Sequence, residues 1–315
     1  MSLSALCEHR PVGIVGLGLI GGSLGLDLQA AGLEVHALVH REATAVRARE
    51  RGLANRIGTD PGLLEACGLV VLALPLDRLL DPDPRLLEAL PAAAVLTDVG
   101  SVKGPVLSCW RERLAGAGRG DQASRFVPGH PMAGTASSGV EAGEAGLFRG
   151  RPWLATPDPD TAPEAIALVR ALAETVGAHW LLCAPDLHDR AASLISHLPV
   201  LAGAALLAVA DRAGDDPETA ELARFMASSG FADTTRVGGG NPELGLLMAQ
   251  TNRPALLQAL AAYRSEIETL ERLLSAEAWP ALSLRLQQAQ TQRPAFLRCD
   301  PAAAARPDDS SGDAL

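Results

Sequence analysis

The amino-acid sequence predicts an α/β domain with a parallel β-sheet, followed by an all-α domain. In the first half, short and entirely apolar runs such as residues 69–74 alternate with helical patterns. Such runs are typical of strands that are buried on both faces of a parallel sheet. From Asp186 onward the alternation stops and Ala/Leu-rich helical segments follow. We therefore expect domains at residues 1–185 and 186–292, and a disordered tail at 293–315, which is rich in Pro, Ala, Asp and Ser.

The composition argues against several classes of protein. The net charge is −10, which disfavours binding to nucleic acid or to an anionic membrane surface. The five cysteines are scattered and form no cluster with metal-binding spacing, so we expect a reduced cytoplasmic protein without a bound metal. Residues 1–10 contain no apolar signal segment, and the longest apolar run, residues 198–210, is too short to span a bilayer.

A glycine-rich motif opens the first domain. The apolar strand at residues 12–15 runs directly into Gly16-Leu-Gly-Leu-Ile-Gly21 and then into a helical stretch. In this context the first glycine permits a tight turn, the second lets a pyrophosphate approach the backbone, and the third lets the helix pack against the strand. The sequence thus predicts a Rossmann-type dinucleotide-binding domain. Its expected cofactor contacts are Gly16, Gly18, Leu19, Ile20 and Gly21.

The end of the second strand indicates which dinucleotide is bound. Sites that prefer NAD usually carry an acidic residue there, to accept hydrogen bonds from the ribose hydroxyls. This chain has Val39-His40-Arg41 instead. A guanidinium can clamp a 2′-phosphate that a carboxylate would repel, so His40 and Arg41 favour NADP. The alternative is that Arg41 is a solvated loop residue.

Three further side chains are expected at one rim of the sheet. The strand at 69–74 ends at Pro75, a helix is expected at 79–90, and the strand at 94–98 leads into a loop that contains Ser101. Ligands of open parallel sheets bind beyond the carboxyl ends of the strands, which would bring Pro75, Ser101 and His130 beside the nicotinamide. Ser101 could equally be a helix N-cap.

His130 stands in the segment 126–135, between two prolines. Because Pro131 restricts the residue before it to extended backbone, we expect His130 on a stiff loop and outside any helix. By itself this pattern is also that of a turn with an incidental imidazole. The preceding Gly-rich residues 115–124 are expected to be a mobile surface segment. Another strand at 153–157, a helix at 162–176 and a last strand at 178–183 complete the domain.

The second half carries five helical segments, and two places in it suggest chemistry. The expected helices span residues 186–210, 217–226, 242–251, 254–274 and 277–290, and residues 198–210 are apolar all round, as in a bundle core or a subunit interface. His188 and His197 share a face if their helix is continuous, though each could be an ordinary polar contact. Arg236 opens a glycine-rich loop, where it could bind a substrate carboxylate or cap a helix.

Together, these motifs resemble those of the prephenate/arogenate dehydrogenase family of tyrosine biosynthesis. The resemblance covers about residues 12–290 and suggests a stand-alone form, without an added mutase or regulatory domain. The matching segments are Gly16-Leu-Gly-Leu-Ile-Gly21, Asp98-Val-Gly-Ser-Val-Lys103, Gly129-His-Pro-Met-Ala-Gly134, Ile195-Ser-His-Leu-Pro199 and Asp233-Thr-Thr-Arg-Val-Gly-Gly-Gly-Asn-Pro242.

The resemblance implies roles for several of these residues. His130 would take the proton of the substrate's ring hydroxyl as hydride leaves the same carbon for NADP and the ring carboxylate departs as CO2. Ser101 would assist at that hydroxyl and Arg236 would hold the carboxylate. Thr135, His188 and His197 are further candidates for substrate binding, and a homodimer through the helical domain is expected.

Two departures from the family pattern bear on the substrate. Prephenate-preferring members tend to carry a histidine where this chain has Val200, and many members have tryptophan where Gly245 stands. Both differences favour arogenate, whose side chain is alanyl instead of pyruvyl. The alternatives are a prephenate or dual-specificity cyclohexadienyl dehydrogenase, a hydroxyacid or pyrroline-carboxylate reductase of similar architecture, and a catalytically silent NADP-binding sensor.

Overall fold

The computed structural model describes residues 2–135, 137–212 and 216–297. By their contacts these residues divide into two compact units: one comprises the residues up to Pro185 together with those from Ala295 onward, and the other comprises Asp186–Pro294.

The first unit is built on a six-stranded sheet in which every neighbouring pair of strands is parallel. The strand order is β3-β2-β1-β4-β5-β6, so the direction of winding reverses between β1 and β4. This order is that of the doubly wound dinucleotide-binding fold, and it confirms the predicted fold class. The strands are β1 (Val12–Val15), β2 (Val35–Leu38), β3 (Arg56–Gly58), β4 (Leu69–Leu72), β5 (Val95–Asp98) and β6 (Phe126–Val127).

All residues of β1, β2, β4 and β5 are buried, as expected of a parallel sheet that is covered by helices on both faces. A 3₁₀ turn at Pro61–Leu64 follows β3. The helices are α1 (Leu3–Leu6), α2 (Leu19–Ala30), α3 (Glu42–Glu50), α4 (Leu76–Leu80), α5 (Pro84–Ala89), α6 (Gly104–Gly116), α7 (Gly120–Ala123) and α8 (Pro163–Thr175).

Two predicted segments of this unit were wrong in detail. The helix expected at 79–90 is two short helices, α4 and α5, because Pro82 and Pro84 interrupt the backbone hydrogen bonding of a continuous helix. The segment expected to be mobile, 115–124, contains the end of α6 and the whole of α7. Its Gln122 is buried and donates a 2.7 Å hydrogen bond to the carbonyl of Pro91.

His130 lies on a strand, contrary to the expectation of a loop. A second sheet has the order β7-β8-β9, with β7 at Gly129–Pro131, β8 at Pro152–Ala155 and β9 at His179–Leu182. In the antiparallel pair of β7 and β8, His130 stands opposite Leu154. The extended backbone that Pro131 imposes is the backbone of a strand, and β7 is an edge strand, where a proline is tolerated.

The second unit is helical, as predicted. Its first helix runs without interruption through α9, a π-helical turn and α10, and it had been expected to end at 210. The wider turn ends two residues before Pro199, which has no N–H and whose ring would clash with the carbonyl four residues earlier in a regular α-helix. The elements are α9 (Pro185–Ala192), the π turn (Ser193–His197), α10 (Leu198–Arg212), α11 (Pro217–Met226), α12 (Ser229–Thr235), α13 (Pro242–Thr251), α14 (Arg253–Ser275) and α15 (Trp279–Leu297).

Among the described residues, the apolar stretch 198–210 does not form the core of a helical bundle. Of the α10 residues only Gly203 is buried, and Val209 is 69% exposed. By length and composition alone, the 28-residue helical stretch Pro185–Arg212 could cross a membrane, which the 13-residue run had not suggested. Its first turns, however, carry His188, Asp189 and Arg190, and charged side chains are costly in a bilayer, about 3 kcal/mol each.

The predicted tail begins later than expected. Helix α15 continues through Pro294 to Leu297, so residues 293–297 are helical. The rest of the predicted tail, residues 298–315, lies outside the described residues.

Candidate active site

The glycine motif forms the turn between β1 and α2, called the glycine cradle below, and its three glycines have different steric roles. Gly16 has a φ of +97°, and a Cβ on it would lie 2.4 Å from the carbonyl oxygen of Ala73, at the end of β4. A Cβ on Gly21 would lie 2.0 Å from the carbonyl oxygen of Gly16. A Cβ on Gly18 would meet nothing within 4 Å. The first and third glycines therefore close the turn between β1 and α2, while the second leaves open space where a phosphate can approach.

The start of α2 is suited to the same ligand. Gly18 is the N-cap of the helix and provides no side-chain hydrogen bond, so Leu19 and Ile20 begin the helix with main-chain N–H groups that no capping side chain occupies. Such N–H groups and the helix dipole favour a bound anion. The residues present therefore fit the pyrophosphate of a dinucleotide.

His40 and Arg41 lie at the end of β2, next to this cradle in the sheet order. Both side chains are exposed, and Arg41 Nε donates a 2.7 Å hydrogen bond to His40 Nε2. Arg41 is also the residue that precedes the first turn of α3. An exposed guanidinium is thus held by its neighbour at the position where an adenosine ribose is read.

Pro75, Ser101 and His130 lie at one edge of the sheet. They follow the carboxyl ends of three neighbouring parallel strands, β4, β5 and β6. Pro75 directly precedes α4, as its N-cap residue, while Ser101 and His130 are half-buried. Ser101 is not an N-cap, because α6 begins three residues later with Lys103 at its cap position.

A buried ion pair fixes the loops that carry Ser101 and His130. Lys103 Nζ lies 2.5 Å from Asp98 Oδ2 and 2.5 Å from the carbonyl oxygen of Gly129, and neither charged side chain is exposed. Asp98 also accepts hydrogen bonds from the N–H groups of Gly100 (2.8 Å) and Gly129 (3.2 Å). Burial raises the pKa of Asp98, and the Lys103 ammonium and these hydrogen bonds oppose that rise. One carboxylate and one ammonium thus tie the Ser101 loop to the residue before His130.

Gly129 is closely surrounded in this arrangement. A Cβ on it would lie 2.9 Å from the carbonyl oxygen of Asp98, 2.9 Å from Trp153 Nε1 and 3.1 Å from Thr97 Oγ1. Only glycine therefore allows β7 to approach β5 this closely, and His130 takes its position from that approach.

The chain beyond His130 folds back onto α2, the helix that begins at the glycine motif. Thr135 is exposed, and its hydroxyl oxygen accepts a hydrogen bond from the N–H of Ser137. Further on, the N–H of Glu144 donates to Ser23 Oγ at 2.9 Å and that of Gly146 to Asp27 Oδ1 at 2.7 Å, both on α2. The segment after the histidine strand is thereby attached to the helix that begins at the glycine cradle.

His188 and His197 belong to one buried polar cluster in the helical unit. His188 Nδ1 lies 2.8 Å from Asp189 Oδ1, and Asn252 Nδ2 lies 2.7 Å from the main-chain oxygen of Asp189 and 3.1 Å from His197 Nδ1. Burial lowers the pKa of His197, which keeps its imidazole neutral at pH 7. Asn252 therefore links the helical turn of His188 and Asp189 to the turn that contains His197.

Arg236 lies directly after α12, at the start of the glycine-rich turn. Its side chain is exposed, and within the described part of the chain no carboxylate pairs with it. A guanidinium left without a partner in the protein is available for an anionic ligand.

Val200 and Gly245, the two departures from the family pattern, are neighbours. A Cβ on Gly245 would lie 3.4 Å from Val200 Cγ1. A larger side chain at either position would therefore reach the other.

Sequence reasoning missed Asp98, Lys103 and Asn252 as parts of these sites. Lys103 carried a signal, because it is the only lysine in a chain that otherwise uses arginine. Asn252 carried none, since its partners lie 55 and 63 residues away. No group of three or more metal-binding side chains occurs among the described residues.

Two family models match successive parts of the chain. Residues 24–182 match the nucleotide-binding domain of prephenate dehydrogenase, and residues 184–288 match the prephenate dehydrogenase dimerization domain. The boundary between the matches falls where the chain divides into its two units.

Whole-length relatives agree with these matches. The chain is 29% identical to a cyclohexadienyl dehydrogenase of Zymomonas mobilis, covering 90% of this chain and 95% of that one. Among solved structures, arogenate dehydrogenase of Synechocystis is 39% identical with a TM-score of 0.77, covering 91% and 99%. Prephenate dehydrogenase of Aquifex aeolicus in complex with hydroxyphenyl propionate and NAD+ is 26% identical with a TM-score of 0.82, covering 91% and 98%. The chain therefore belongs to the prephenate dehydrogenase family.

Proposed function

We propose that this protein is an arogenate dehydrogenase, which converts L-arogenate to L-tyrosine by oxidative decarboxylation with hydride transfer to NADP. The observation that carries the choice of substrate is that Val200 and Gly245 are neighbours, since a Cβ on Gly245 would lie 3.4 Å from Val200 Cγ1. The side chains at these positions, a valine and a glycine, offer no hydrogen-bond donor to the keto group of a pyruvyl side chain. The 39% identity to the Synechocystis arogenate dehydrogenase supports the same choice.

In this proposal three side chains act on the substrate. His130 accepts the proton of the ring hydroxyl as that carbon becomes carbonyl-like, and Ser101 hydrogen-bonds the same hydroxyl. Arg236 holds the ring carboxylate until it leaves as CO2. The bound nicotinamide dinucleotide supplies the hydride acceptor. A general base of this kind contributes about 10²–10⁴-fold to the rate, and aromatisation of the ring makes the reaction effectively one-way.

The proposed preference for NADP depends on Arg41. Its guanidinium is exposed at the end of β2, where an acidic residue would otherwise bind the ribose hydroxyls of NAD. The Aquifex relative was solved with NAD+, and we infer that Arg41 gives this chain its preference for NADP.

We also propose that the protein works as a cytoplasmic homodimer through its helical unit. The match to a dimerization domain supports the dimer. So does the surface of the unit, where Phe225 is 88% exposed and Met226 is 68% exposed. A second copy that covers the apolar surface of α10 accounts for that helix without a membrane.

The test is a matrix of initial rates with L-arogenate and prephenate, each with NADP and NAD. We expect the highest kcat/KM for arogenate with NADP, and we expect Val200→His to raise the relative use of prephenate. Equal use of both substrates would favour the cyclohexadienyl dehydrogenase alternative. Binding of NADP without turnover of either substrate would favour the silent sensor.

A further inference from the structure

Asn252 has only one possible orientation of its amide. Its side chain is 4% exposed, and the atom assigned as Nδ2 lies 2.7 Å from the main-chain oxygen of Asp189. A main-chain carbonyl can only accept, so this atom must be the nitrogen. The second hydrogen of the amide is then directed to His197 Nδ1, at 3.1 Å.

That orientation determines the tautomer of His197. Because Asn252 donates to Nδ1, this nitrogen must offer its lone pair, and in a neutral imidazole the hydrogen is then on Nε2. The ring is neutral because burial lowers the pKa of His197 and the nearby His188 lowers it further, against the opposing effect of Asp189.

The resulting Nε2–H donor lacks an acceptor. His197 is 1% exposed, and its Nε2 is buried without a hydrogen-bond partner among the described residues. An unpaired buried donor is rare, and each one in a native structure requires an explanation. His197 also ends the π turn, a distortion that occurs frequently at functional sites.

We propose that Asn252 is a positioning residue which holds His197 as the Nε2–H tautomer, so that His197 donates a hydrogen bond to a carboxylate oxygen of the bound substrate. The inference rests on the proposed function for the identity of the ligand, but the tautomer itself does not depend on it. His197 is then a donor that binds substrate, and the role of base stays with His130.

The tautomer is tested by nitrogen NMR of the full-length protein labelled with ¹⁵N-histidine. The resonances lost in His197→Gln identify His197, and their shifts distinguish a hydrogen on Nε2 from one on Nδ1. We expect the Nε2–H form in the wild type. In Asn252→Asp the carboxylate accepts from Nδ1, so the Nδ1 resonance should become that of a protonated nitrogen. An Nδ1–H tautomer in the wild type overturns the proposal.

The contact with substrate is tested by adding L-tyrosine or 4-hydroxyphenylpyruvate to the complex with NADP. Binding of either product should shift the His197 Nε2 resonance. If a product binds and that resonance stays in place, the donor is satisfied by water and the substrate contact is refuted. If neither product binds, both the substrate contact and the proposed function fail, whereas the tautomer result stands.

The kinetic consequence separates positioning from folding. Asn252→Asp should raise KM for arogenate about tenfold, the scale of one lost hydrogen bond, with kcat and the affinity for NADP nearly unchanged. Asn252→Ser, whose hydroxyl can still donate to Nδ1, should recover part of the KM if the side chain reaches. If kcat falls, KM rises and thermal stability falls to the same extent in both variants, Asn252 is a purely structural residue.

Discussion

Lys103 Nζ lies 2.5 Å from Asp98 Oδ2, and both side chains are entirely buried. The pair joins the end of β5 to the start of β7, since Lys103 also donates to the carbonyl of Gly129. The positions of Ser101 and His130 therefore depend on a single salt bridge that neither residue belongs to.

Replacing Lys103 by methionine should destabilise the protein by about 3–5 kcal/mol, because the Asp98 carboxylate would be left buried without its cation. Urea unfolding measures this loss. The double variant with Asp98→Asn should recover part of it. As a matched control, Arg113→Met breaks the exposed ion pair with Asp81 and should cost less than about 1 kcal/mol. Similar losses in the two single variants would contradict the role given to Lys103.

His130→Ala should lower kcat by about 10²–10⁴-fold, the usual contribution of a general base. The affinity for NADP should be nearly unchanged, because the glycine cradle is built by β1, β4 and α2. Stopped-flow kinetics measure the first quantity, and a titration with NADP followed by the quenching of tryptophan fluorescence measures the second. Parallel losses in both would mean that His130 supports the fold and does not act on the substrate.

Arg41→Asp should shift the cofactor preference towards NAD, because a carboxylate repels the 2′-phosphate and can bind ribose hydroxyls. The readout is the ratio of kcat/KM for NADP to that for NAD. Arg49→Asp, on the same helix and paired with Glu42, is the control for a general change of charge. An unchanged ratio in the Arg41 variant, or an equal change in the control, would exclude Arg41 as the phosphate clamp.

Arg236→Ala should chiefly raise KM for the substrate, because the exposed guanidinium is assigned to a carboxylate that is present from binding onward. Steady-state kinetics at saturating NADP provide the measurement. Arg224, in the same unit, is already paired with Asp211, so Arg224→Ala should leave KM unchanged. A loss confined to kcat would show that Arg236 acts only in the transition state.

The stability of the protein should depend on pH through His197. An unfolded histidine has a pKa near 6.5, and burial lowers the pKa of His197 in the folded chain. Above the pKa of the unfolded chain the ring is neutral in both the folded and the unfolded state, so it does not affect the free energy of unfolding. As the pH falls below that pKa, the unfolded chain takes up a proton that the folded chain does not. The free energy of unfolding therefore decreases by up to about 1.4 kcal/mol per pH unit, until the lowered pKa of the folded chain is reached.

Urea unfolding at pH 7.5 and at pH 5.5 measures this dependence. In His197→Gln part of the loss at the lower pH should disappear. His9 is exposed at a φ of +58°, which asparagine tolerates, so His9→Asn serves as the control and should retain the loss. The same pH dependence in all three proteins would refute the assignment.

The parts of the fold that were predicted correctly are those whose causes are local. The turn at Gly16 needs a positive φ and Gly21 must be a glycine because of Gly16 itself, so a six-residue motif contains most of the reason for the cradle. The first residues of α11 and α13, Pro217 and Pro242, were likewise predicted correctly, because proline is favoured in the first turn of a helix.

One missed feature, the break of the expected 79–90 helix at Pro82 and Pro84, has a local cause. The others depend on residues distant in sequence. Asp98 and Gly129 meet because β5 and β6 are neighbours, and only the sheet order reveals it. The strand at His130 needs Leu154 as its partner, and nothing near His130 distinguishes a strand from a stiff loop. His197 and Asn252 are 55 residues apart on different helices, so the tautomer of the histidine cannot be read from either segment alone.

The burial of Lys103 has a practical consequence for protein chemistry. Because it is the only lysine in the chain, the folded surface offers amine-directed reagents no lysine side chain. Acylating reagents such as N-hydroxysuccinimide esters should therefore react with the α-amino group alone while the protein is folded. Labelling of Lys103 then reports unfolding. For imaging or immobilisation, the folded protein can be tagged at its α-amino group without modification of the loops that carry Ser101 and His130.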